Sequence, residues 1–149
     1  LSDLGSHLLD WVLYLFGKPD GKLKLWSCNY FENRTCDHVM FGFQGRPVLE
    51  LEASLLSWRN TLTVDIYGEL GSVHIDCLCK WGPSTLSVRK RVFPSGRPKE
   101  DIEMIECADP TWELEHQHFK RLCAEGGTNI ENDLWINDVL KDLARSLGK

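Results

Sequence analysis

From Leu49 onward, apolar and polar side chains alternate, and this restricts the chain to folds built on a sheet with one covered face. Leu49, Leu51, Ala53 and Leu55 point one way while Glu50, Glu52 and Ser54 point the other. After Arg59 and Asn60 the pattern resumes, with Leu62, Val64 and Ile66 opposing Thr61, Thr63, Asp65 and Tyr67. Gly68 to Gly71 turn the chain into Val73, Ile75, Cys77 and Cys79, opposite Ser72, His74 and Asp76. A period of two is that of a half-buried strand. The joining turns are too short for the crossover that parallel strands require, so the pattern predicts an antiparallel meander. Its polar face holds Glu50, Glu52, Asp65 and Asp76 beside Arg89 and Arg91. That face is either a wet surface with cross-strand ion pairs or a polar interface with another subunit.

Helical patterns flank the strands. Leu4, Leu8, Trp11, Val12, Leu15 and Phe16 fall on one helix face, which Gly17 and Pro19 end. Further strands are expected over Lys22 to Phe31, His38 to Phe43, Leu86 to Phe93 and Ile102 to Ile105, with a loop over Pro94 to Lys99. Asp109 with Pro110 starts a helix that Gly126 and Gly127 stop. Thr128 and Glu131 have capping-box spacing ahead of the buried face Ile136, Val139, Leu140, Leu143 and Leu147. The expected fold is α+β: an open, mainly antiparallel sheet with helices packed on one face.

At 149 residues the chain suits one domain, residues 1–149, able to bury roughly two thirds of its unfolded surface. With 42% hydrophobic and 26% charged residues it has the balance of a globular protein. A net charge of -5 argues against a nucleic-acid partner, because that affinity comes largely from Lys and Arg. The longest apolar stretch, Leu8 to Phe16, is too short to cross a bilayer, and no secretory signal is visible, so the expected location is the cytoplasm. The six cysteines are expected to be reduced thiols. Opening on Leu1 without an initiator Met, the chain reads as a fragment.

Asp3, His7 and Asp10 stand at i, i+4 and i+7, which makes them neighbours on the first helix. A histidine beside carboxylates is equipped for proton transfer near neutral pH, whereas the plainer reading is a solvated helix start. Cys77 and Cys79, with Cys28, Cys36 or His74, lack the paired knuckles of structural zinc, so no metal is expected and packed thiols are preferred. Trp58, Arg59 and Asn60 suit either stacking on a ligand or a turn with Asn60 at positive φ; the turn is favoured. His116, His118 and the run Arg89 to Arg91 are read as surface groups.

The segment Asp3-Leu4-Gly5-Ser6-His7-Leu8-Leu9-Asp10, followed by Trp11 to Phe16 and Gly17, resembles the D-x-G-x-H-x-x-D segment of the Gfo/Idh/MocA oxidoreductases. The resemblance extends through the turn from Tyr67 to Ser72 and the helix carrying Trp112, Glu115 and Phe119. It implies a glyceraldehyde-3-phosphate dehydrogenase-like C-terminal domain that binds a sugar, cyclitol or nucleotide-sugar and pairs with further copies through its open sheet face. It also implies NAD or NADP in the intact protein and none on this chain alone, since the nucleotide-binding G-x-G-x-x-G and the E-K-P segment are absent here. By the same resemblance His7 is the acid/base that takes the hydroxyl proton as hydride leaves, Asp3 assists it, and Asp10 is a structural partner. The competing expectations are a non-catalytic binding and assembly module of the same fold and, behind both, a zinc-dependent interaction domain.

Overall fold

The computed structural model describes residues 2–77 and 82–147. In chain order its elements are α1 (Ser2–Phe16), β1 (Lys22–Asn29), β2 (His38–Gln44), β3 (Leu49–Ser54), β4 (Thr63–Gly68), β5 (Gly71–Asp76), β6 (Ser84–Lys90), β7 (Lys99–Ile105), α2 (Thr111–Glu125) and α3 (Ile130–Ser146). The fold is α+β and the described strand pairs are antiparallel, as the alternation predicts. The strands form two sheets, however, in the orders β1-β2-β3 and β4-β5-β6-β7. The meander breaks after β3 because the chain from Leu55 to Leu62 leaves the ladder, with Trp58, not the expected Asn60, in the left-handed region at φ 54°. The chain divides into two compact units, one reaching to Leu56 and resuming at Gly126, the other Ser57–Glu125.

In the first unit β2 is the central strand. Phe41 lies opposite Leu25 and Leu51, and Phe43 opposite Leu23 and Leu49. Helix α1 packs on α3 and β3, while α3 also reaches β1. Between helices and sheet lies one core: Leu9 and Val12 from α1, Val39, Phe41 and Phe43 from β2, Leu49 and Ala53 from β3, and Ile136, Val139 and Leu143 from α3. Phe43 stacks on Trp135 with ring centroids 5.9 Å apart. The buried face of α1 is centred on Gly5, Leu9 and Val12, a rotation from the expected Leu4, Leu8, Trp11 stripe, and Phe16 is exposed. The helix is apolar on more than one side, so periodicity alone leaves its facing ambiguous.

Cys28 and Cys36 form a disulfide with Cα atoms 6.1 Å apart, which corrects the expectation of reduced thiols for this pair. The β1–β2 ladder sets Asn29 against His38 and so brings the two ends of this loop together.

In the second unit Leu62, Val64 and Ile66 are half-buried and Thr61, Thr63, Asp65 and Tyr67 exposed, as the alternation requires. Gly68 pairs with Gly71 across the turn, and a Cβ on Gly71 would collide with the carbonyl oxygen of Arg89, so glycine is required by close approach. Strand β6 begins and ends earlier than expected, and β7 begins three residues sooner. Cys77 lies just past β5 at φ 57° and donates its N–H to Leu62, so it does not continue the strand face of Ile75; Cys79 lies outside the described residues. Asp109 starts α2 as expected, accepting hydrogen bonds from the N–H (3.0 Å) and hydroxyl (2.6 Å) of Thr111. Among the described residues of this unit none is buried.

The expected capping box of α3 is not formed. Asn129 is its N-cap without a side-chain bond, and Thr128 instead accepts the N–H of Ile130 at 3.2 Å.

Candidate functional site

The first turns of α1 carry the residues singled out by sequence. Asp3 and His7 are one helical turn apart, and His7 Nε2 lies 3.8 Å from Asp3 Oδ1. That is ion-pair reach but longer than a hydrogen bond. The two side chains are 77% (His7) and 90% (Asp3) exposed. Asp10 is exposed one further turn along and makes no ion pair with His7. Asp3 belongs to the first turn, where a carboxylate suits the positive end of the helix dipole, and its carbonyl accepts the Ser6 hydroxyl at 2.7 Å. The structure therefore brings Asp3 and His7 together and leaves Asp10 apart.

Beneath this turn is a cavity of about 100 Å³ lined by Asp3, Leu4, Cys36, Asp37, Val39, Ala53 and Leu55. It sits where β2 begins and β3 has just ended. Asp3 reaches its lining; His7 does not, and stands on the open surface above. A small, partly apolar cavity with the two carboxylates Asp3 and Asp37 in its lining has room for a ligand group but not for a whole sugar.

Asp37, on the cavity wall, is a residue that sequence reasoning missed. Its side chain is buried, and its carboxylate accepts N–H bonds from Glu32 (2.7 Å), Phe31 (3.0 Å) and Asn33 (3.1 Å). Its own backbone bonds Asn29 and Leu55. The Glu32 and Phe31 N–H groups, aided by Asn33 and by its own N–H, hold its pKa below the ordinary 3.8 against the opposing effect of burial. A group held down in the folded state contributes stability that is complete above its unfolded pKa and lost as pH falls through the folded one. We expect the urea midpoint of the parent protein to exceed that of Asp37→Asn near neutral pH. The gap should narrow steadily below 3.8, and an unchanging gap would contradict the assignment.

A second polar cluster lies on the four-stranded sheet. His74 Nδ1 is 2.5 Å from Asp65 Oδ1, and its Nε2 is 2.8 Å from Ser72 Oγ and 3.0 Å from Arg89 Nη1. Arg89 Nε donates to Glu100 Oε1 at 2.6 Å, and Tyr67 meets the His74 ring edge-on. The polar face expected from sequence is present in part, as a ladder through these four strands; Glu50 and Glu52 lie on β3 in the other sheet, and the partners of Arg89 are His74 and Glu100 rather than Asp65 or Asp76. Arg91 turns to the Phe93 ring and the Glu69 carbonyl. The Ser72-x-His74 spacing, which places both on one strand face, was the available signal. His118 is on the surface of α2, accepting from Arg121 at 2.8 Å. Among the described residues no group of His, Cys, Asp and Glu is arranged to hold a metal ion. No described helix is long and apolar enough to cross a membrane.

No family model, curated protein or solved structure matches this chain.

Proposed function

We propose that the chain is the substrate-binding part of an NAD(P)-dependent oxidoreductase of the Gfo/Idh/MocA kind, acting on a hydroxyl or ketone of a sugar, cyclitol or nucleotide-sugar. The observation that carries the reading is the Asp3–His7 pair, one turn apart and open to an incoming substrate above a cavity that Asp3 lines. With this reading comes a glyceraldehyde-3-phosphate dehydrogenase-like fold for the domain.

Among the described residues the nicotinamide cofactor finds no cradle. Helix α2 follows β7 through Glu106 to Pro110, a stretch without glycine, and α3 follows α2. A dinucleotide needs a glycine-rich turn from strand to helix, so we assign its binding to the rest of the intact protein and derive no step through it. This chain's share is proton transfer. Oxidation to a carbonyl requires that the hydroxyl oxygen lose its proton, and His7 takes it. Asp3, within ion-pair reach of the ring at 3.8 Å, assists it. In reduction the same ring returns the proton.

A second reading, a non-catalytic module that assembles with further copies, is favoured by the second unit, where no described residue is buried. A sheet open to this extent gains stability by covering its apolar atoms with another copy. Cytoplasm is the proposed location, and the Cys28–Cys36 pair stands against it, because disulfides are rare there.

The complete polypeptide should be offered NAD and NADP with a panel of carbohydrates, with reduced nicotinamide as the readout and sedimentation run in parallel. Turnover on any member supports the enzyme. Assembly without turnover supports the second reading, and a monomer without turnover overturns both.

A further inference from the structure

The geometry of the four-stranded sheet points to an activity unrelated to the residues of α1: we propose that Ser72, His74 and Asp65 form an acyl-transfer site that takes small carboxylic esters. The three lie on adjoining strands, Ser72 and His74 on β5 and Asp65 directly opposite His74 on β4. An acid, an imidazole and a hydroxyl are joined in series through the two ring nitrogens, at 2.5 Å and 2.8 Å. This is the order that activates a serine: the base must reach the hydroxyl and be oriented by a third group.

Arg89 settles the protonation. A guanidinium only donates, so the ring nitrogen it meets at 3.0 Å, Nε2, carries a lone pair. The proton of the neutral ring is therefore on Nδ1, donated to Asp65, and the single Nε2 lone pair is shared between Arg89 and Ser72, so Ser72 passes its proton there as the Arg89 Nη1 donor is released to the developing oxyanion. Arg89 is also a positive group near the nucleophile, no further from Ser72 Oγ than the combined lengths of their two bonds to Nε2. Charge of that sign beside the reacting carbonyl stabilises the oxyanion. Glu100, bonded at 2.6 Å, holds the guanidinium in place. The His74 side chain is 18% exposed and that of Asp65 53%, so the group is shielded on the base and open at its edge.

In the proposed reaction Ser72 Oγ bonds to the carbonyl carbon as its proton passes to His74 Nε2. The carbon–oxygen bond to the leaving alcohol then breaks, and the alcohol departs with that proton. Water, deprotonated by the same nitrogen, attacks the acyl-serine, and the carboxylic acid leaves as Ser72 recovers its proton. No other reactant is consumed. Asp65 is a positioning residue, acting through the ring.

Two probes test this on the whole chain: p-nitrophenyl acetate, and a fluorophosphonate, which serine attacks with loss of fluoride. The expected result is a fluorophosphonate adduct at Ser72 by peptide mass, and ester hydrolysis that falls about 10²-fold in both Ser72→Ala and His74→Ala. Ser87→Ala, on β6 directly opposite His74, should leave both readings unchanged. Asp65→Asn should slow labelling, and Asp65→Glu should restore part of the rate. Circular dichroism matched to the parent shows that each variant is folded, and Ser72→Val, which also removes the hydroxyl and suits a strand, is the substitute, read by the same criteria, if Ser72→Ala is not. An unlabelled parent, an adduct on another residue, or hydrolysis by Ser72→Ala within about twofold of the parent overturns the proposal.

Discussion

Phe41→Ala is expected to remove about 3–5 kcal/mol from the stability of the first unit. Phe41 has no exposed surface, stands in the middle strand between Leu25 and Leu51, and shares a core with Leu9 of α1 and Leu143 of α3, themselves fully covered. Truncating it loses the transfer energy of a phenyl ring and leaves a cavity that both helices and all three strands would have to move to fill. Domains of this kind are stable by only about 5–15 kcal/mol, so the loss is a large share of the total. Amide exchange of the β2 residues reads it, because these amides open with the unit as a whole. Glu50→Ala, on the uncovered face of β3, should change the same exchange by no more than about 0.5 kcal/mol. A loss below about 1 kcal/mol at Phe41 would mean that the core is not arranged around it.

The reasons that this core was legible in the sequence, and other parts were not, lie in how far each signal depends on neighbours. Leu49 and Ala53 are buried, with Leu51 half-buried between them, and Glu50 and Glu52 are exposed, as a period of two alone dictates. Leu55 shares that pattern yet is 58% exposed, since β3 ends at Ser54. Alternation also continues through Arg91 to Phe93, but β6 stops at Lys90, where the Arg91 N–H goes to Leu70 and the guanidinium is drawn to Glu69 and Phe93. The opening of β7, Lys99 to Asp101, was missed because Lys, Glu and Asp are poor strand formers. They are tolerated here on an outer strand, where Glu100 reaches Arg89 and Lys99 reaches Asp101 at 3.3 Å. Asp37 was illegible for a different reason. Its partners are backbone N–H groups of a loop, and nothing in their side chains announces them. The Asp65–His74 pairing depended on register. It follows from the turn read at Gly68 to Gly71: with Glu69 and Leu70 at its centre, Gly68 faces Gly71 and Asp65 must face His74.

The larger functional effect is expected at His7. In the intact enzyme of the proposed reading, His7→Ala should lower turnover by about 10²- to 10⁴-fold, the usual contribution of a positioned base. Its position makes the experiment interpretable. The side chain is 77% exposed and lies outside the core of Leu9, Val12 and their partners, with Asp3 as its ion-pair partner, so truncation should leave the fold intact. Loss of rate would then report chemistry. Affinity for the nicotinamide cofactor should be unchanged, because its binding is assigned to other parts of the protein, and a fluorescence titration with the reduced cofactor checks this. Asp3→Asn should cost less, since the imidazole that takes the proton is retained and only its neighbour at 3.8 Å is changed. If turnover by His7→Ala stays within about twofold of the parent, the proton must pass through another group. An exposed pair at 3.8 Å would then be a surface contact of the helix start, where ion pairs contribute little.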